Sequence, residues 1–136
     1  MNRTRTVLIA AVIAVLCSVA AWQFARDTWK TIQLSFADEQ TGIFSEMLGK
    51  ATEALKREPP DVKAAAGFRE STHGYYPSGT KQSRGSILDR IVERSRSLAE
   101  SQIIEMLRVA TGADLGTDVE AWVREFGNRG VSGELR

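Results

Sequence analysis

The sequence predicts an all-α protein: one N-terminal transmembrane helix over residues 6–25, then a small helical domain of about four helices. Three observations predict it. An uncharged run of 20 residues lies between Arg5 and Arg26. The apolar residues beyond it recur at helical spacing behind recognisable caps. No segment reads as a strand with a second strand to pair with, and a lone strand would leave its backbone groups unpaired.

Within the uncharged run, Val7 to Trp22 holds only Ser18 as a clearly polar residue. At about 1.5 Å of rise per residue, roughly 20 residues cross a ~30 Å hydrocarbon layer. Trp22 and Phe24 then fall near an interface, where aromatic rings are favoured. A cleaved signal peptide is the rival reading, with Arg3 and Arg5 as its basic start and Ser18-Val19-Ala20 as a small-x-small site. The strictly apolar stretch of 16 residues exceeds the usual signal-peptide core and favours a retained signal-anchor. Cys17 follows Leu16, where a lipoprotein signal wants a small residue, so it reads as a small apolar residue in a helix. Arg3, Arg5 and the terminal amine are denser in charge than Arg26 and Lys30. That places the tail 1–5 in the cytoplasm and the remainder outside a bacterial inner membrane.

Residues 26–60 read as a membrane-proximal helical segment. Over 31–37, Ile32, Leu34 and Phe36 alternate with polar residues as in a strand, yet Trp29, Ile32 and Phe36 keep helical spacing. With no partner strand, the helix is favoured. Over 38–58, Ile43, Phe44, Met47, Leu48, Ala51, Ala54 and Leu55 form one stripe, which Pro59-Pro60 ends.

Residues 61–127 read as a C-terminal helical module. Asp61 caps a helix from Val62 to about Thr72. Residues 74–85, with three Gly and one Pro, read as an ordered loop, because adjacent tyrosines are costly to leave in water. Ser86 caps a long helix 87–111, with Asp89 three residues on. Ile87, Leu88, Ile91, Val92, Leu98, Ile103, Ile104 and Leu107 mark its apolar side, and Gly112 is a good terminator. Thr117-x-x-Glu120 spells a capping box for a nine-residue helix in which Val119, Trp122, Val123 and Phe126 line one face. Trp122 is expected to dock it on the long helix. Residues 128–136 carry no pattern and read as a flexible tail.

Charge and composition exclude more than they select. The chain has 18 Lys plus Arg against 17 Asp plus Glu, so it is neither a polycation nor an acidic tail. One Cys and one His allow no intrachain disulfide and no Cys/His zinc site.

Four stretches invite a chemical reading. Gly74-x4-Gly79-Thr80-Lys81 approaches a phosphate-binding loop, but Lys falls one place late and what precedes it is helical. A glycine turn with an exposed lysine accounts for it. Lys81, Arg84, Arg90, Arg94 and Arg96 beside Tyr75 and Tyr76 could touch phosphates, but Asp89 and Glu93 offset them as on a solvated helix face. Asp114, Asp118 and Glu120 lack calcium-loop spacing, and capping explains Thr117, Asp118 and Glu120 without a metal. His73 has no cysteine nucleophile outside the apolar run, and no serine stands in a catalytic frame. No catalytic, cofactor-binding or metal-ligating residue is assigned, and no nucleic-acid partner is expected.

Tyr75-Tyr76-Pro77-Ser78-Gly79-Thr80-Lys81-Gln82, then Gly85-Ser86-x-Leu88-Asp89-Arg90-Ile91-Val92-Glu93, form one distinctive block. Thr111-Gly112-x-Asp114-Leu115-Gly116 leading to Trp122 forms a second. Over about residues 61–126 the chain resembles a set of uncharacterised bacterial membrane-anchored proteins that share a YYPSGTKQ…GS-LD-IVE block and a TG-DLG-D-E-W ending. The ending also resembles segments of larger bacterial helical-repeat proteins. Where similar endings often carry Pro, this chain has Val119. The resemblance implies a folded module and transfers no activity. The expected function is a membrane-anchored interaction or scaffold module, non-enzymatic, with a protein partner or self-association. The alternative is a small hydrolase or ligand-binding domain with a site built from scattered residues.

Overall fold

The computed structural model describes residues 3–127. Four helices follow one another: α1, Arg3–Leu55; α2, Val62–Gly74; α3, Ile87–Thr111; and α4, Val119–Phe126. The protein is all-α among the described residues. Two compact units divide between Ser35 and Phe36.

The first unit is helical from Arg3 onward, and an 18-residue stretch of it has mean hydropathy 2.4 with no residue buried. It is long and apolar enough to cross a membrane. Its one clearly polar side chain is satisfied locally, Ser18 Oγ donating to the Ala14 carbonyl at 2.8 Å. Residues 31–37 are helical, as favoured over the strand alternative.

The second unit begins at Phe36, so the segment 26–60 is shared between the two units. Phe44, Ala51 and Ala54 are buried. Ala51 and Ala54 join Val62, Ala65 and Ala66 of α2, Ile103, Ile104 and Leu107 of α3 and Trp122 of α4 in one core cluster. Phe44 joins Val92 and Ala99 in a second, with Tyr75 and Leu88 packed on it. Short alanines on α1 and α2 let the backbones approach closely while larger side chains from α3 and α4 fill the space.

Four expectations need correction. The helix expected to run to residue 58 ends at Leu55. Pro59 and Pro60 have no N–H to give to the carbonyls of Leu55 and Lys56, so the ladder stops short of them. Asp61 N–H donates to the Ala54 carbonyl at 3.0 Å instead. The last helix is capped by Asp118, not Thr117: Asp118 Oδ1 accepts from Glu120 N at 2.9 Å and Ala121 N at 3.1 Å. The helix has eight residues, one fewer than expected. It lies against α2 rather than α3, although Trp122 reaches the α3 residues of the core. Other caps stand where expected, Asp61 accepting from Ala64 N and Ser86 from Asp89 N. Gly112 terminates α3 at φ 70°, a conformation that costs a side chain roughly 1 kcal/mol or more.

Candidate interaction surface

Two buried charges fix which side of α3 faces inward. Asp89 is 3% exposed and Arg96 is 5% exposed, and they point into the 75–86 loop. The Asp89 carboxylate accepts from Ser78 Oγ at 2.6 Å, Gly85 N at 2.7 Å and Gly79 N at 3.0 Å. Burial pushes its pKa up, but these hydrogen bonds and the charge of Arg84 outweigh that and hold it below the ordinary carboxylate value. Arg96 donates to the carbonyls of Thr72 at 3.2 Å and His73 at 2.6 Å, and to that of Tyr76. It thereby caps the end of α2 and carries the helix past Thr72 to Gly74. Its guanidinium lies 5.1 Å from the centre of the Phe44 ring, and Glu93 is 3.3 Å away. Gln82 and Gln40, both buried, pair at 2.7 Å. Lys81 Nζ sits 4.4 Å from the Phe36 ring centre and 4.3 Å from that of Tyr76. The loop is therefore ordered, and Lys81 is stacked between rings rather than exposed.

With that side facing in, α3 turns a second apolar stripe outward. At about 100° per residue, Ile87, Ile91, Leu98 and Val109 fall within an arc of about 40°. Asp89, Val92, Arg96, Ile103 and Leu107 lie on the opposite side. The outward four are 68%, 53%, 59% and 77% exposed. Three of them, Ile87, Ile91 and Leu98, belong to the side that the sequence suggested as one apolar face; that list spanned both sides of the helix. Counting angles residue by residue would have separated the two.

Val109 also borders an open groove of about 680 Å³ between the end of α1 and α3. Leu48, Leu55, Met106 and Ala110 supply much of its wall, and Thr52 Oγ1 lies 3.3 Å from Met106 Sδ. Glu105 is the one carboxylate in the lining. Lys56, Gln102 and Glu105 interrupt the otherwise mainly apolar lining, and Val109 is shared by groove and stripe.

The other stretches resolve into structural roles. The basic series is split: Arg96 is buried, Lys81 is stacked, and Arg90 and Arg94 lie on the outer side. Asp114 accepts from Gly116 N at 3.0 Å and Arg108 Nε at 2.9 Å. These contacts hold its pKa below the usual value, the Gly116 hydrogen bond foremost. Asp118 is the α4 cap. His73 Nδ1 lies 3.2 Å from Glu100 Oε1 on the surface, and Glu100 also meets Arg69 at 3.3 Å. Among the described residues no three His, Cys, Asp or Glu side chains are grouped to hold a metal ion. No known protein family matches the chain, and neither a curated protein nor a solved structure is significantly similar to it.

Proposed function

We propose that this chain is a single-pass, membrane-anchored interaction module of a bacterial inner membrane. Residues 6–25 act as a retained anchor, the N-terminus is cytoplasmic, and the helical unit works outside. The observation that carries the interaction role is the outward stripe of Ile87, Ile91, Leu98 and Val109, set directly opposite a completed core face. A soluble surface gains nothing from four large apolar residues aligned on one arc unless another surface covers them. The apolar run of α1 supports the anchor, and the density of Arg3 and Arg5 supports the orientation.

The test is a comparison of the full-length chain with the double variant Ile91→Ser, Leu98→Ser. The variant should keep its helicity and melting behaviour, remain in carbonate-washed membranes, and lose its associations as read by cross-linking. Unchanged association would overturn the interaction role. A mature N-terminus at Ala21 or Arg26 would replace the anchor with a cleaved signal peptide. A reporter fused after Arg136 should be active only outside the inner membrane, and activity in the cytoplasm would reverse the orientation.

A further inference from the structure

We propose that the outward stripe of α3 pairs with the same stripe of a second copy, antiparallel, about a two-fold axis at Leu98. This rests on the interaction reading above and names its partner. Leu98 stands midway between Ile87 and Val109, 11 residues from each. Eleven residues make about three turns, so the three side chains stay nearly in line along a straight helix. Reversing a second α3 over the first then sets Leu98 on the partner's Leu98. It also sets Ile87 on the partner's Val109 and Val109 on the partner's Ile87. An interface of this kind must be self-complementary, each contact occurring twice.

The charges in the stripe follow the same symmetry. Arg94 and Glu105 lie on the arc with the apolar four. Arg94 has no ion-pair partner among the described residues, and Glu105 holds Arg108 in an exposed pair at 3.3 Å. In the antiparallel arrangement Arg94 comes within about 4.5 Å, along the axis, of the partner's Glu105, at ~1.5 Å per residue. The opposite charges meet once on each side of the axis. A parallel pair in register would stack Arg94 on Arg94 and Glu105 on Glu105, which repel. The register also sets Ile91 opposite the partner's Glu105; a bilayer surface would leave that carboxylate with no counter-charge, whereas the partner's Arg94 supplies one.

Cysteine cross-linking in membranes separates these arrangements, using the full-length chain with Cys17→Ser. Leu98→Cys should give a covalent dimer under mild oxidation. Ile87→Cys alone should not, since its two copies would stand about 33 Å apart. Val109→Cys alone should not either, but the two variants co-expressed should cross-link to one another. Arg94→Glu should weaken association about tenfold or more by setting like charges together, and the added change Glu105→Arg should restore it. Self-cross-linking at Ile87→Cys would overturn the antiparallel register. A monomeric mass for the full-length chain in detergent, with no dimer from Leu98→Cys in membranes, would overturn self-pairing. The position-98 cysteine then decides the broader reading. Cross-linking to a different protein keeps the interaction module, whereas quenching of a fluorophore there by brominated lipid assigns the stripe to the bilayer and overturns both.

Discussion

The two sides of α3 depart from the usual arrangement of apolar inside and polar outside. The inward side buries Asp89 and Arg96, while the outward side presents Ile87, Ile91, Leu98 and Val109 to solvent. The inward charges are stable there because each meets several hydrogen-bond partners, although Arg96 Nε is buried without one among the described residues. Asp89 faces three donors and Arg96 three carbonyls. The outward residues meet none, which is the observation behind the proposed interaction role. Hydrophobicity alone does not say which side of a helix is the core; the supply of partners does.

The largest test of that comparison lies at Trp122, the residue that closes the core beneath the inward side. It is 0% exposed, and its Nε1 donates to the Gly116 carbonyl at 3.0 Å. Trp122→Ala should cost about 3–5 kcal/mol and leave the unit largely unfolded by circular dichroism. Next comes Arg96→Leu. It keeps the apolar stem but strands the carbonyls of Thr72, His73 and Tyr76, and a loss of about 3 kcal/mol in urea unfolding is expected. A variant as stable as the parent would show that packing, not hydrogen bonding, holds the charge there.

Asp89→Asn is milder, about 1–3 kcal/mol, and it carries a pH signature. The folded carboxyl titrates below its unfolded value of about 3.9. Its contribution is therefore complete above that value and is lost as pH falls through the folded one. The parent's melting temperature should drop more steeply than the variant's between about pH 5 and pH 3. Parallel curves would mean that Asp89 is not the group responsible. The smallest effect belongs to the outward side: Leu98→Ser in dilute detergent should change unfolding by less than about 0.5 kcal/mol. A larger loss would show Leu98 to be part of the core after all.

What was legible in the sequence follows the reach of each signal. Asp61, Ser86 and Gly112 were readable as caps because a cap acts within one turn. Trp122 was readable as buried because a short amphipathic helix must dock. Its neighbour was not, since α2 or α3 could each have received it. The roles of Arg96 and Asp89 were hidden because both sit among Glu and Arg on what reads as a solvated face. Their partners, carbonyls and amides of a loop, leave no mark in residue type. The shift from Thr117 to Asp118 shows the same limit at one-residue scale, where two good capping residues compete side by side.

Asp61 occupies the corner between α1 and α2 with both its backbone and its side chain. Its amide closes the end of α1 on the Ala54 carbonyl, and its carboxylate opens α2 at Ala64 N while meeting Arg57 at 3.3 Å. The two helix ends therefore cannot fray independently. Any excursion that frees the last turn of α1 also releases the first turn of α2. In hydrogen exchange the amides of Asp61 and Ala64 should open as one unit, with a common protection factor, and mark the boundary of a single cooperative block that spans the corner.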